Sequence, residues 1–483
     1  MNIWIINPFD ELPGDTDVRL RYWSICDTLA EMGHDVTWWS SDFSHRHKQR
    51  RNSELFNRDK GDKEDIIIGD SAESKLHDPK SKNLSHSSPS SLLKFTIRLV
   101  PTCPYKRNVS LQRIRNHRHF RWHFQNMAME EIKSGKIPAP DRMVVSLPPL
   151  GSADAAFAIR ERFGGEVILD IMDAWPETFY RVLPGFVPTG IKEFLFIPFL
   201  KTAERACQEA DRISAVAQVY ANLAKKRAPK KPVHLCYHGI DLEESGLLQA
   251  RFNPDESTTG PEGPTLDSPI KIAYIGALER SYDLKTAIRA VQQLNQDGYQ
   301  ACPAKPGEAR VELHIAGAGT YEDALKAYNL SLSSPGRSAN PSQPGATGGD
   351  QSGDANGDKT LVTFHGNLNR SDLRTFLASC HLGLIPMKQD SFVGMPYKVA
   401  DYCAAGLPVI SSLDGECRRL LDTKKAGSFY EPGSVNSLIE AIRPYLDDVE
   451  LLNDNSANAR SIAVDLFDRK KSYRELGAFI EGN

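Results

Sequence analysis

Two short apolar runs near the start of the chain decide the fold. The first is Asn2-Ile-Trp-Ile-Ile-Asn7, and the second is Asp35-Val-Thr-Trp-Trp39. Between them, residues 20–32 carry apolar side chains at helical spacing, and Gly33 ends the predicted helix. A strand, a helix and a strand in this order predict a βαβ unit, which is typical of a parallel, doubly wound sheet.

The alternation of strand and helix continues and then restarts at Ile270, so the sequence predicts an α/β protein with two successive lobes. Residues 51–90 are dense in Ser, Lys and Asp and are expected to form a mobile insertion. Residues 331–360 have almost nothing to bury and are expected to form a disordered insertion. The predicted domains are an N-terminal lobe over 1–245, a linker over 246–268, a C-terminal lobe over 269–450 and a final helix over 451–483 that packs back toward the N-terminal lobe.

Composition and charge exclude several classes of protein. Of the 483 residues, 40% are hydrophobic and 25% are charged, which fits a globular protein and not a collagen-like, coiled-coil or wholly disordered chain. The formal net charge of -3 argues against a nucleic-acid partner, so any basic patch must be local. No segment reaches the ~18 apolar residues of a membrane span.

The amino terminus and the cysteines favour a cytoplasmic location. Residues 1–8 lack the basic segment and the cleavage site of a signal peptide and are typical of a first core strand. None of the eight cysteines forms a Cys-x-x-Cys pair, which argues against a zinc site and a disulfide framework. Scattered thiols fit a reducing compartment, and we expect them to be buried structural residues.

In open parallel sheets, ligands bind beside the carboxyl ends of the strands, so the loops there are the candidate sites. Gly14 lies in the first such loop, and Gly276, Gly317-Ala-Gly319 and Asn367 follow predicted strands of the second lobe. The Gly317-Ala-Gly319 turn lacks the third glycine of a dinucleotide fingerprint, so a tight turn between strand and helix is the alternative reading. The motif Asp15-Thr-Asp17 lies in a loop and not at a strand end, and we predict no metal site.

The most informative stretch is Gly394-Met-Pro-Tyr-Lys398-Val-Ala-Asp401-Tyr-Cys-Ala-Ala-Gly406. Pro396 suits the first helical position and Gly406 the helix end. Lys398 then lies in the first turn, where free N–H groups and the helix dipole favour an anion, and Asp401 shares its face. A cation for a phosphate and a carboxylate for ribose hydroxyls suit a nucleotide-linked sugar. A surface Lys–Asp pair is the alternative.

This stretch is the last of a series of motifs that resembles the GT-B glycosyltransferases, close to family 4 and particularly to the bacterial capsule and O-antigen type. The motifs occur in family order over nearly the whole chain. They are Trp38–Arg46, Tyr105–Ser110, Asp170–Glu177, Tyr237–Asp241, Tyr274–Leu284, Leu313–Gly319, Val362–Gly366 and Pro396–Ile410.

The resemblance implies two Rossmann-like lobes that face a cleft, with the acceptor on the N-terminal lobe and the nucleotide-sugar mainly on the C-terminal lobe. It also implies sugar transfer with retention of anomeric configuration and without a bound metal or other cofactor. The donor would be a UDP- or GDP-sugar. Without a metal, side-chain cations and helix N-termini must neutralise the leaving diphosphate, and Arg280 and Lys398 are the candidates. In the family's mechanism the leaving phosphate takes the acceptor proton.

The chain departs from the family pattern at several site positions. The second carboxylate of the family's Glu-x7-Glu element falls on Asp401, which keeps the charge, but the first falls on Val393. The basic residues that follow the glycine after the first strand of the C-terminal lobe fall on Ala277 and Tyr282, with Arg280 as a substitute. The glycine pair of the first loop is reduced to Gly14.

Two carboxylates in the N-terminal lobe are further candidates for catalysis. Asp173 and Glu177 flank Trp175-Pro176 just after a predicted strand. They could orient the acceptor or act at the reacting centre. A helix cap is the alternative role.

Two basic runs carry aromatic residues, and they are candidates for contact with anionic lipid headgroups or a lipid-diphosphate acceptor. They span residues 45–51 and 106–121. Solvated loop and helix faces are the alternative. The apolar run Phe194–Leu200 could join that surface, but a core helix is favoured.

Taken together, the sequence predicts a retaining hexosyltransferase of polysaccharide biosynthesis, cytoplasmic or at the inner face of the cell membrane. It would move a sugar from a nucleoside-diphosphate sugar to a glycan or lipid-linked glycan. Two alternatives stay open. One is a nucleotide-sugar epimerase or hydrolase on the same fold, and the other is a non-catalytic scaffold that binds nucleotide-sugar, which the loss of a carboxylate at Val393 would allow.

Overall fold

The computed structural model of the chain forms two compact units. It describes residues 1–16, 19–51, 93–108, 110–178, 187–247, 269–296, 311–333, 361–389, 391 and 393–482. Unit 1 comprises Met1–Cys236 and Lys470–Asn483, and unit 2 comprises Tyr237–Arg469. Residues 237–245, which we expected in the N-terminal lobe, lie in unit 2 because Tyr237 and Gly239 bond to residues of that unit.

Unit 1 is a sheet of seven parallel strands in the order β3-β2-β1-β4-β5-β6-β7, with helices between the strands. The strands are β1 (Asn2–Ile6), β2 (Asp35–Ser41), β3 (Thr96–Val100), β4 (Arg142–Leu147), β5 (Glu166–Ile171), β6 (Arg212–Ala215) and β7 (Val233–Leu235). The helices are α1 (Arg21–Glu31), α2 (Leu111–Lys133), α3 (Leu150–Phe163), α4 (Thr189–Glu209), α5 (Gln218–Arg227) and, near the end of the chain, α14 (Arg469–Glu481).

Alternate residues of β1 explain how this sheet is covered on both faces, because side chains of a strand point to opposite sides. Ile3 and Ile5 pack into one apolar cluster with residues of α1 and α14, such as Leu29 and Leu476. Trp4, between them, contacts Trp39 of β2 and Phe124 of α2, with ring centroids 5.2 Å and 6.5 Å away.

Unit 2 is a sheet of six parallel strands in the order β10-β9-β8-β11-β12-β13. The strands are β8 (Ile270–Ile275), β9 (Val311–Ala316), β10 (Val362–Gly366), β11 (Leu382–Ile385), β12 (Val409–Ser411) and β13 (Gly427–Phe429). The helices are α6 (Leu242–Ser245), α7 (Leu284–Gln296), α8 (Glu322–Ser333), α9 (Arg370–Ala378), α10 (Tyr397–Ala404), α11 (Glu416–Lys424), α12 (Val435–Asp447) and α13 (Val449–Ile462), followed by a π-helical segment over Ala463–Phe467.

The two sheets confirm the predicted architecture of two parallel, doubly wound α/β lobes. In each sheet the strand order reverses at one point, between β1 and β4 in unit 1 and between β8 and β11 in unit 2. Ligands of such sheets bind in the crevice outside the carboxyl ends of the strands at this reversal. The predicted insertions fall almost wholly outside the described residues, although Arg51 is buried and residues 331–333 complete α8.

One prediction about the core is wrong. Phe194–Leu200 is helical, as part of α4, but it is not a core segment, because Phe194, Leu195, Ile197 and Phe199 are exposed. The buried part of α4 is its second half, where Ala203, Ala206 and Cys207 face the unit. Within the described part of the chain, no helix is both long enough and apolar enough to cross a bilayer.

Candidate functional site

Three glycine-containing turns at the carboxyl edge of the unit 2 sheet lie backbone against backbone. The Gly276 N–H donates to the carbonyl of Ala316 at 2.9 Å, and the Gly317 N–H donates to the carbonyl of Gly366 at 2.7 Å. A β-carbon at Gly317 would lie 1.9 Å from the Gly276 oxygen, and one at Gly319 would lie 2.3 Å from the Leu278 oxygen. Only glycine fits these positions, so the turns after β8, β9 and β10 form one closely packed edge.

Lys398 lies over this edge, in the first turn of α10. Its side chain passes so near Gly276 that a β-carbon there would lie 2.7 Å from Lys398 Cε. The Nζ atom lies 4.1 Å from the Tyr274 ring centroid and 3.7 Å from that of Tyr282, and it donates to the Tyr274 hydroxyl at 3.1 Å. Two aromatic faces therefore hold the cation in place.

The charge of Lys398 is poorly compensated. The residue is 9% exposed, and within the described residues no carboxylate lies within ion-pair distance of its Nζ. Burial lowers the pKa of Lys398 to about 7, and Asp401 opposes this fall only in part. An anion placed at this point would restore the lost solvation of the cation.

Asp401 lies one turn further along α10, on the same face as Lys398. Burial raises the pKa of its carboxyl to about 6, and Arg469 and Arg370 lower it in part. The start of α10 has no side-chain cap, because its N-cap residue is Pro396. Its first N–H groups therefore add a partial positive charge beside Lys398.

The other predicted donor residues of unit 2 lie in the loops that follow β8, β10 and β11. Arg280 is exposed, with its guanidinium 5.6 Å from the Tyr321 ring centroid. Asn367 is exposed and directly follows β10. Val393, which replaces a family carboxylate, is 39% exposed.

Sequence reasoning missed the aromatic cage around Lys398. In the sequence, Tyr282 only replaces a basic residue of the family pattern, and Tyr274 only begins one of the motifs. The loop that carries Tyr282 is held to the loop after β11, because the Asp283 N–H donates to the carbonyl of Pro386 at 2.7 Å. Next to the cage, the rings of Tyr397 and His238 stack with centroids 3.8 Å apart. No spacing of residues in the sequence predicts these contacts.

In unit 1, Gly14 lies in a turn between β1 and α1. Its φ of 97° is a left-handed value that favours glycine. The turn is closed by the Asp15 N–H, which donates to the carbonyl of Leu12 at 2.9 Å, and Asp15 is in turn paired with Arg51 at 2.7 Å. The structure thus gives Gly14 a role in shaping the first loop.

A cluster of aromatic and basic side chains lies beyond the carboxyl ends of the unit 1 strands. The Phe9 ring contacts the rings of His45 and His117, with centroids 5.4 Å and 5.2 Å away. The Arg113 guanidinium lies 5.3 Å from the Phe9 ring centroid and 6.0 Å from that of Trp175. We call these five residues, with Lys48, Tyr105 and Asp173, the unit 1 cluster.

Burial and neighbouring positive charges lower the pKa values of the two histidines in the unit 1 cluster. Burial, with Lys48 and Arg113, lowers the pKa of His45 to about 4. Burial, with Arg113, lowers the pKa of His117 to about 3. Both imidazoles are therefore neutral near pH 7, and the net charge of the cluster comes from Lys48 and Arg113, partly offset by Asp173. Within the described residues, His117 Nε2 and Arg113 Nε are buried without a hydrogen-bond partner.

The two predicted catalytic carboxylates of unit 1 differ. Asp173 is half-buried, accepts from the Ala174 N–H at 2.8 Å and is close enough to Arg113 to affect its pKa. Glu177 pairs with Arg227 of α5 at 2.5 Å, and both side chains are largely buried. The ion pair ties the loop after β5 to α5, so the structure gives Glu177 a positioning role.

The basic run over 45–51 is mostly engaged within unit 1. Arg51 is buried and donates to the carbonyls of Ser41 at 2.7 Å and Asp10 at 2.9 Å. Arg50 pairs with Asp42. The run over 106–121 differs, because Arg115, Arg118 and Arg121 are exposed on α2. In the described ranges, no three His, Cys, Asp or Glu side chains are grouped so that they could hold a metal ion.

One part of the chain matches a known protein family. Residues 346–448 match the family described as "Glycosyl transferases group 1". This range holds strands β10 to β13, together with Lys398 and Asp401 of α10. No curated protein sequence matches the chain.

Several solved structures have the same fold. Sucrose-phosphate synthase from Thermosynechococcus elongatus is 14% identical and superposes with a TM-score of 0.60, covering 100% of this chain and 98% of that one. Anabaena HepE, solved in complex with UDP-glucose, is 13% identical with a TM-score of 0.55 over 100% of both chains. WaaG, a glycosyltransferase involved in lipopolysaccharide biosynthesis, is 15% identical with a TM-score of 0.55 over 100% of both. Identity this low shows the shared fold alone.

Proposed function

We propose that this chain, a glycosyltransferase with the GT-B fold, is a retaining enzyme that moves a hexose-type sugar from a nucleoside-diphosphate sugar to a glycan or lipid-linked glycan. The observation that carries the proposal is the caged cation of Lys398, buried over the glycine turns at the start of α10 without an ion-pair partner in the described part of the chain. A buried cation beside free helical N–H groups fits a diphosphate.

The donor would lie at the carboxyl edge of the unit 2 sheet. Lys398 and the start of α10 would bind the diphosphate, with Arg280 reaching it from the loop after β8. Asp401 would accept hydrogen bonds from the ribose hydroxyls. Gly276, Gly317, Gly319 and Asn367 line this edge. The complex of Anabaena HepE with UDP-glucose supports a UDP-sugar as the first donor to test.

The chemical step needs no resident metal in this proposal. The bond between the anomeric carbon and the diphosphate oxygen breaks, and the acceptor oxygen bonds to the same face of that carbon. The acceptor proton passes to the leaving phosphate oxygen, so the protein supplies no separate base. Lys398 stabilises the charge that develops on the diphosphate, which is the largest electrostatic requirement of the step.

The acceptor would bind at the unit 1 cluster. Phe9 and Trp175 offer ring faces for a sugar, and Arg113 and Lys48 would attract an anionic group of the acceptor. Asp173 would orient the acceptor hydroxyl, and Glu177 would hold the loop through Arg227. The naming of WaaG for lipopolysaccharide biosynthesis supports a lipid-linked acceptor.

The remaining partner is an anionic membrane. The exposed arginines within 106–121 would draw the protein to the inner face of the cell membrane, where a lipid-linked acceptor is held. Within the described residues, the seven cysteines are free thiols, which supports a cytoplasmic location.

The test is release of nucleoside diphosphate from a panel of UDP- and GDP-sugars, with and without a glycolipid acceptor extract. We expect release that depends on acceptor and falls about 100-fold or more in Lys398→Ala. The matched control is Lys424→Ala, a lysine exchange in the last turn of α11 on the same lobe. Epimerised donor without acceptor would favour an epimerase, and release without acceptor a hydrolase. No release from any donor would overturn the proposal.

A further inference from the structure

The first half of α4 exposes an apolar stripe. Phe194 is 71% exposed, Leu195 54% and Ile191 53%. With Pro198 and Phe199 they follow the i, i+3, i+4, i+7, i+8 spacing of one helix face. The second half of α4 is packed, so the exposed stripe is confined to the first half.

A second exposed face lies on α2. Leu111 is 83% exposed and Trp122 62%, and between them Arg115 and Arg118 are exposed at helical spacing. The sequence contains no Asp or Glu between residues 106 and 129. Of the 14 large hydrophobic side chains that are exposed in the described residues, eight lie in these two helix halves. The exposure is therefore localised and not a general property of the surface.

The two helix halves belong to one side of unit 1. Asp154 of α3 pairs with Arg121 of α2 at 3.0 Å and with Arg205 of α4, so α3 lies between the two helices. Each of the three helices follows a parallel strand and starts at the carboxyl edge of the sheet. The exposed halves are the amino-terminal ones, so both lie toward the edge that holds the unit 1 cluster.

We infer that this surface, formed by Leu111–Trp122 of α2 and Ile191–Phe199 of α4, docks onto a bilayer that contains anionic lipids. The apolar stripe of α4 enters the boundary between headgroups and acyl chains, and Arg115 and Arg118 contact the headgroups. Trp122 lies at the interface, where indole rings are favoured. This inference deepens the proposed use of a lipid-linked acceptor, because the docked face adjoins the unit 1 cluster.

The arginines of α2, together with the apolar stripe of α4, favour a bilayer over a second copy of the chain as the partner of this surface. An interface between two copies that placed the α2 faces against each other would bring their exposed arginines together, and residues 106–129 contain no carboxylate to pair with them. An anionic lipid surface instead supplies the missing negative charge together with an apolar layer. The two features thus require one partner that is anionic and apolar at once.

The test is flotation of the full chain with vesicles of phosphatidylcholine alone or with phosphatidylglycerol, without donor or acceptor. We expect binding only to the anionic vesicles, weakened by salt. Binding should fall about tenfold or more in F194Q/L195Q/F199Q, and also in R115Q/R118Q. The matched control is Leu330→Gln, an exposed leucine on α8 that should change nothing. Unchanged melting temperatures would show that the variants are folded.

The outcomes are distinct. Equal binding of F194Q/L195Q/F199Q and the wild type would overturn the role of α4. A concentration-dependent dimer that the same variant abolishes, without vesicle binding, would overturn the bilayer in favour of a second copy. Since flotation needs no turnover, vesicle binding by an enzyme that releases no nucleoside diphosphate would leave this inference standing while the proposed function failed.

Discussion

The side chain of Lys398 occupies the space that a β-carbon on Gly276 would need. An ideal β-carbon at Gly276 would lie 2.7 Å from Lys398 Cε and 3.0 Å from its Nζ. The glycine also has a φ of 123°, so an L side chain is disfavoured there by its backbone as well. The turn after β8 and the cation of α10 therefore form one structural unit.

This relationship predicts the effect of Gly276→Ala. The methyl group displaces Lys398 from the cage of Tyr274 and Tyr282, so we expect the affinity for a nucleotide sugar to fall about tenfold or more. Isothermal titration with UDP-glucose measures this. Gly33→Ala is the matched control, because Gly33 has a φ of 90° but nothing within 4 Å of an added β-carbon. Equal affinities of the two variants would refute the steric argument.

The pH dependence of donor binding follows from two shifted groups. Lys398 has its pKa lowered to about 7, so it loses its charge as pH rises through 7. Asp401 has its pKa raised to about 6, so it loses its charge as pH falls through 6. We expect the affinity for UDP-glucose to be highest between about pH 6 and 7 and to fall on both sides, by up to about tenfold per pH unit.

Titration calorimetry from pH 5 to pH 9 tests this profile. A nucleotide sugar is a suitable probe, because its diphosphate is esterified at both ends and does not titrate in this range. Lys398→Arg keeps its charge at high pH and should remove the alkaline decline. An affinity that stays constant from pH 6 to pH 9 would contradict the assignment of the diphosphate to Lys398.

Substitutions of Asp173 and Glu177 should have different effects, one on the reaction rate and the other on stability. Asp173→Asn is expected to lower kcat about tenfold or more at saturating donor, because the acceptor hydroxyl loses its orienting carboxylate. Glu177→Gln leaves Arg227 without its partner and is expected to lower the free energy of unfolding by about 1–3 kcal/mol with kcat nearly unchanged. Initial rates and urea unfolding measure the two effects. The reverse pattern would exchange their roles.

The stability of unit 1 should depend on a buried ion pair. Arg21 of α1 donates to both oxygens of Asp170 in β5, at 2.9 Å and 3.0 Å, and both side chains are fully buried. Burial alone would raise the pKa of Asp170, but Arg21 and its other hydrogen-bond donors hold it below its usual value. Asp170→Asn is therefore expected to lower the free energy of unfolding by about 3–5 kcal/mol.

Urea unfolding of the full chain, followed by tryptophan fluorescence, tests this expectation. The pair is also expected to contribute stability above the ordinary carboxyl pKa and to lose it as pH falls through the lowered one. Glu322→Gln is the control, since its pair with Lys326 is a surface i, i+4 pair worth about 0.3–0.5 kcal/mol. A similar loss in both variants would contradict the central role of Asp170.

Local patterns in the sequence determined the architecture. The apolar runs at Asn2–Ile6 and Ile270–Ile275, each followed by an amphipathic helix, predicted two parallel sheets because strand and helix periodicity are properties of neighbouring residues. The placement of Lys398 in the first turn of α10 followed from Pro396 for the same reason. These inferences needed no knowledge of distant contacts.

Only the tertiary structure decided the surroundings of each side chain. Tyr274 and Lys398 are 124 positions apart in the sequence. Arg113 lies near the rings of both Phe9 and Trp175, which are further apart still. These contacts therefore depend on the strand order and not on local spacing. Phe194–Leu200 has the composition of a core helix, yet its side chains are largely exposed, whereas the second half of α4 is partly buried and pairs with Asp154 of α3 through Arg205. The hydrophobicity of a residue sets the free energy that its burial would release, whereas the packing of the fold decides whether a neighbour is present to bury it.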